Sequence, residues 1–274
     1  MTGGHFYGIF IDTNDTIYIT DYANNRIQAW YNGSSSPTSV VFGNFSTMSL
    51  IFVTATGDIY FGNYVSTYRI DKWQWNSNSS IPVMYTGQPC HGLFIDMNNT
   101  AYCSIKELHR IVTKSLNSNQ DMLTIVAGTD CAGSTPNKLN KPHGIFVDIN
   151  FNLYVADLSN NRIQLFRPGQ LNGTTVAGNG SNDVRITLNH PTGVILDADG
   201  YLFIVDRDNH RIVGSGPNGF RCLVGCSGSY GSTSNQLHRP QLLAFDTYGN
   251  LFVTDWDNFR VQKFIHLNNT LGKY

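Results

Sequence analysis

Apolar residues along this chain come in short runs, and turn-forming polar residues separate them. Residues 142–166 show the pattern most plainly, as PHGIFVDINFNLYVADLSNNRIQLF. Ile145-Phe146-Val147 is one apolar run, Leu153-Tyr154-Val155 a second, and Ile163-Gln164-Leu165-Phe166 a third. Asp148 to Asn152 is turn material between the first two. Nothing here carries a period of 3.6 over ten or more residues, so the runs read as strands and not helices. The unit is a three-stranded antiparallel meander.

The unit recurs from one end of the chain to the other. Residues equivalent to Asp148 are Asp12, Thr54, Asp96, Asp197 and Asp246, so the anchors are 42, 42, 52, 49 and 49 residues apart. An aromatic follows each anchor by six positions: Tyr18, Tyr60, Tyr102, Tyr154, Phe203 and Phe252. An arginine follows by fourteen at Arg26, Arg110, Arg162, Arg211 and Arg260, and by fifteen at Arg69. A fixed period of this length means an array of like units. Five copies add a fourth run that ends in glycine, at Gly43, Gly87, Gly128, Gly178 and Gly225. Four short strands per repeat, arranged radially, predict an all-β, six-bladed β-propeller of four-stranded antiparallel blades.

One domain is expected over residues 1–274, with repeats near 4–43, 47–87, 89–128, 140–178, 189–225 and 238–274. The last blade lacks an outer strand in this reading, with Leu271 to Tyr274 a poor substitute. The expectation is therefore a fragment of a longer chain. An unpaired third strand is an association risk.

The residues that carry the repeat resemble the signature of NHL repeats. The matching segments are P-x-G with three apolar residues and Asp, then N-L-Y-V-A-D, then N-N-R-I-Q-x-F, as at residues 142–166. The resemblance runs from Gly4 to about Phe264 and is weaker in repeats 2 and 3, around Asn63, Arg69, Ile105 and Arg110. It implies a six-bladed propeller that serves as a binding platform, and it fixes no ligand. It also implies two alternatives. Similar propellers include zinc-dependent lyases that amidate peptides through peptidyl-hydroxyglycine, and others recognise RNA or substrate proteins beside ubiquitin-ligase modules.

Composition narrows the partners. Only 14% of residues are charged, against about 25% in an ordinary soluble domain, and the net charge is −1. Phosphate-driven nucleic-acid binding has little support from such a chain. No apolar run reaches membrane-spanning length, and MTGGHFYG is not a signal peptide. Acceptor sequons at Asn14, Asn32, Asn44, Asn78, Asn98, Asn172, Asn179 and Asn268 fall mostly in expected turns. Cys90 and Cys103 flank the first hairpin of blade 3, and Cys222 and Cys226 bracket Leu-Val-Gly. Both pairs are placed to form disulfides, which leaves Cys131 unpaired. Together these favour an extracellular protein or ectodomain.

Recurrence separates scaffold from candidate chemistry. The pairs Asp21/Arg26, Asp157/Arg162, Asp206/Arg211 and Asp255/Arg260 recur in four blades, so they are expected to fix hairpins by forked hydrogen bonds. Positions that differ between blades say more. The residue five before each anchor should line the channel mouth: Tyr7, Ser49, His91, His143, Thr192 and Gln241. This neutral ring is the candidate ligand-binding site. His91 and His143 could begin a zinc site, but three protein ligands are needed, and His190 and His238 lie just outside the ring. The ring holds no acid, which argues against the calcium-dependent lactone hydrolysis of other six-bladed propellers. No G-x-S-x-G is present. Trp73 and Trp75, with Tyr68, are expected to pack blade 2. The expected function is monomeric, non-enzymatic, cofactor-free recognition of a protein or glycan through loops on one face, with zinc or calcium chemistry as the alternative. The longest such loops are Thr129 to Lys141, Asn179 to His190 and Ser227 to Arg239.

Overall fold

A computed structural model describes residues 4–31, 34, 36–42, 50–74 and 76–265. They form six antiparallel sheets, five with four strands in chain order and a sixth with three. The innermost strands are Phe6–Ile11, Ile51–Val53, Cys90–Ile95, Pro142–Val147, Pro191–Leu196 and Pro240–Phe245. Each touches the next around a ring, and Phe6–Ile11 meets Pro240–Phe245 to close it. Helical structure among the described residues is confined to single 3-10 turns such as Leu158–Asn160. The fold is a six-bladed β-propeller.

The repeat pattern has local causes. Each anchor opens the turn between the first two strands: Asp148 Oδ1 accepts from Asn150 N at 2.8 Å and Asn152 N at 2.9 Å. Asp12, Asp96, Asp197 and Asp246 do the same, and Thr54 Oγ1 accepts from Asp58 N. The residue three after the anchor is left-handed in all six blades, including Phe151 at φ 61°. Tyr18 and Tyr102 donate their hydroxyls to Asp12 and Asp96, which accounts for the aromatic six positions on in those blades. The glycine that ends the fourth strand is obligatory at Gly178. Its φ is +80°, and a Cβ there would sit 2.3 Å from the Asn161 carbonyl oxygen.

Blades pack on one another through one side of each innermost strand. Ile145 and Val147 are buried in the cluster that joins blades 3 and 4, with Ile111, Leu139 and Phe166. Phe146, between them, is half-buried: it lines the channel and also packs against the cluster that joins blades 4 and 5. Alternation along the strand is the reason. The seam between blades 6 and 1 is closed by Phe6, Ile9, Ile19, Trp30, Phe252 and Val261. Asp15 fastens it by accepting from Thr247 N and Oγ1, both at 2.8 Å. Trp73 is buried between blades 1 and 2, and Trp75 lies outside the described residues.

Cys90–Cys103 and Cys222–Cys226 are disulfides, and Cys131 is a free, exposed thiol. Asn14, Asn78, Asn98, Asn172 and Asn179 are all exposed; Asn32, Asn44 and Asn268 lie outside the described residues. No helix among the described residues is long and apolar enough to cross a membrane.

Candidate functional site: the channel mouth and the face around it

The innermost strands begin on the face that carries the second-to-third-strand turns and the inter-blade linkers, here called the upper face. Their pairing with the second strand is irregular just there. Pro142 pairs with Asp157, but the next regular pair is Ile145 with Val155. The same break spans Tyr7, His91, Thr192 and Gln241 in their own blades. A bulge re-aims side chains, and here it turns these residues into the channel. Glycine follows in blades 3 and 4 because the strands approach closely: a Cβ on Gly144 would lie 2.4 Å from the Thr192 carbonyl oxygen.

Five of the six expected ring residues are thereby placed at the mouth, and Ser49 lies outside the described residues. Three of them are linked by hydrogen bonds into a polar plug, while the buried His91 Nδ1 has no hydrogen-bond partner among the described residues. His143 Nδ1 donates to the Thr192 carbonyl at 2.9 Å, so Nε2 carries the lone pair that accepts from the Tyr7 hydroxyl at 2.7 Å. The His91 ring stands 5.5 Å from that of His143. Burial, then the neighbouring His91, pushes the His143 imidazole down to about 3. Burial, then the Lys106 ammonium, pushes His91 down to about 4. Burial raises the Tyr7 phenol far above its ordinary value. Every titratable group in the plug is therefore neutral at physiological pH. Both nitrogens of His143 are engaged, so a cation bound there would have to displace Tyr7. Among the described residues, no group of three or more His, Cys, Asp and Glu is arranged to hold a metal ion.

The recurring Asp–Arg pairs fasten this face. Asp157, fully buried, accepts from Asn140 N at 2.7 Å, Asn160 Nδ2 at 2.8 Å and Arg162 Nε at 2.8 Å. Burial pushes its carboxyl up, while these donors and the guanidinium favour the charged form. Arg162 spends its other nitrogens on the carbonyls of Ser134, Thr135 and Lys138. The expected two-pronged fork on the carboxylate is thus a bridge, from the hairpin to the linker before it. Asp206/Arg211 and Asp255/Arg260 repeat the bridge. In blade 3, Ile105 replaces the aspartate, and Arg110 pairs instead with Asp130 of the linker.

A second ring, which sequence reasoning missed, surrounds the plug at ten residues after each anchor. It reads Tyr22, Tyr64, Lys106, Leu158, Arg207 and Trp256. Tyr22 is 47% and Tyr64 39% exposed. Trp256 packs edge-on against Tyr7 and beside His5, which in turn meets Phe259. Lys106 and Arg207 add positive charge above a neutral plug. These positions keep a fixed offset from the anchors, so their variation from blade to blade is visible in the sequence.

The face also carries two imidazole–carboxylate pairs over blades 5 and 6. His190 Nδ1 lies 2.9 Å from Asp208 Oδ2, and His238 Nε2 lies 3.4 Å from Asp257 Oδ2. Tyr230 stacks on His238 with ring centroids 4.5 Å apart, and His210 meets both rings edge-on. The two histidines were noticed in the sequence. Their carboxylates, eleven residues after the anchors, were not.

No protein-family model matches the chain, and no curated protein sequence does. Solved structures do match. A Bacteroides thetaiotaomicron protein of unknown function superposes with a TM-score of 0.77 at 14% identity, over 96% of this chain and 69% of that one. An auxiliary nutrient binding protein from the same organism gives 0.74 at 14% identity, over 96% and 69%. Virginiamycin B lyase from Staphylococcus aureus gives 0.64 at 14% identity, over 96% and 84%. What this chain shares with all three is the propeller fold.

Proposed function

We propose that this chain is an NHL-like binding scaffold that recognises a protein or glycan partner through its upper face, without turnover. The single observation that carries the reading is the set of Tyr22, Tyr64, Lys106, Arg207 and Trp256 around a neutral plug, with Leu158 buried at the sixth position. Exposed aromatic rings on a rigid frame offer flat apolar area at little entropic cost, with a polar edge for hydrogen bonds. Lys106 and Arg207 add charge that fixes orientation. The resemblance to an auxiliary nutrient binding protein supports a binding role at the level of fold. Two disulfides and five exposed sequon asparagines support an oxidising, glycosylating compartment.

Screening the wild-type chain on glycan and ectodomain arrays tests this. A Tyr64→Ala/Trp256→Ala double variant that folds should lose at least about tenfold in affinity for the captured partner. Retained affinity in that variant overturns the assignment of the face.

A second reading rests on His190 and Asp208. An imidazole whose Nδ1 faces a carboxylate leaves Nε2 as a general base, as a lyase requires. Zinc- or calcium-supplemented assays on peptidyl-hydroxyglycine, lactone and streptogramin substrates, repeated with His190→Ala, decide between turnover and binding.

A further inference from the structure

Below the plug the channel changes character. Every described residue that lines it is apolar or glycine, and it encloses about 260 Å³. Two residues before each anchor, the blades contribute Phe10, Phe52, Phe94, Phe146, Ile195 and Ala244. The four phenylalanines form an edge-contact chain with centroid separations of 5.0, 5.1 and 5.4 Å. Blades 5 and 6 break that chain with smaller side chains. All six residues are half-buried, whereas His143, Thr192 and Gln241 above them are 3%, 1% and 5% exposed. Among the described residues the channel therefore narrows at the polar ring, most tightly over blades 4 to 6, and is reached from the lower face. Met97 and Ile149, in the first turns of blades 3 and 4, are 71% and 77% exposed.

The geometry points to a binding site for the hydrocarbon part of a small amphiphile, whose polar end stays at the lower mouth. This site is separate from the upper face and does not depend on the recognition proposed there. The lining side chains offer no hydrogen-bonding group and the wall is mostly apolar, so the well favours an alkyl or phenyl group over a polar one. An apolar cavity of about 150 Å³ lined by Leu, Ile and Phe stays dry and admits benzene or xenon. This well has the same kind of wall and more room, so it suits a medium-length chain. Ala244 and Ile195 are the positions that keep it open.

Normal alcohols from 1-butanol to 1-decanol, titrated calorimetrically into the wild-type chain, test the proposal. Affinity should rise about fourfold per methylene, as apolar burial requires, and then level off once the well is full. Ala244→Phe and Ile195→Phe each extend the phenylalanine chain and should weaken 1-octanol by at least tenfold. Circular dichroism identifies which variants fold. Xenon-pressurised wild-type crystals should show xenon between the phenylalanines, which decides the matter if neither variant folds. No heat with any alcohol, affinity that never levels off, unchanged binding in a folded variant, or no xenon in the well overturns the proposal.

Discussion

The two ends of the channel come from the same six strands yet are built on opposite principles. At the upper end, strand pairing breaks and polar side chains turn inward, and His143 is held between the Tyr7 hydroxyl and the Thr192 carbonyl. A few residues further along, pairing is regular, and side chains that alternate with the blade-packing residues enter the channel as Phe10, Phe52, Phe94 and Phe146. The polar end is flanked by the exposed rings of Tyr22 and Tyr64 and by Lys106, Arg207 and Trp256, while the apolar end is reached from the lower face. One strand thus serves two environments because a bulge shifts the side-chain phase between them. Repeating positions hold the frame. Varying positions decide what each end can meet.

Substitutions should separate the two ends by size of effect. Asp157→Ala removes the carboxylate that ties the blade 4 hairpin to its linker and leaves Arg162 buried without it. A loss of about 3–5 kcal/mol in denaturant unfolding is expected, and less than about 1 kcal/mol would show that the bridge is dispensable. Phe146→Ala, at the apolar end, should cost clearly less than the about 3–5 kcal/mol of a fully buried phenylalanine, because its ring is half-buried already.

Acid should act on the polar end. Folded His143 and His91 are held at about 3 and about 4, against about 6.5 in an unfolded chain. Between those values the unfolded state binds protons that the folded state refuses. Their contribution is fully present above about pH 6.5 and is lost as pH falls, by on the order of 6 kcal/mol between pH 7 and pH 4, about 3 from each ring. Urea melts across that range should show the slope, and a His91→Asn/His143→Gln variant should flatten it. The smallest effect belongs to the turns. Phe151 sits at φ 61°, and Phe151→Asn should raise the thermal midpoint by the equivalent of about 0.5–1 kcal/mol, because asparagine tolerates the left-handed region better.

Most of the frame was legible in the sequence because its causes are local. An anchor aspartate needs only the next four residues to form its turn, so it leaves a mark at a fixed offset. The Asp–Arg bridge was half legible: the hairpin partner lies five residues away, but the linker carbonyls of Ser134 and Lys138 do not. Ring positions could be counted from the anchors, whereas the Tyr7–His143 bond joins residues 136 apart and leaves no sequence signal. Which residues of the Ile145-Phe146-Val147 run line the channel was not legible, because the run is apolar throughout and only the pleat separates its two sides.

The neutral, hydrogen-bonded state of the upper mouth is tested most directly by nitrogen NMR of the His143 ring as pH is varied. The account predicts a neutral ring protonated at Nδ1, unchanged from pH 8 to pH 5, with Nε2 accepting from Tyr7. A ring that titrates near its ordinary value of about 6.5, or that carries its proton on Nε2, would contradict it.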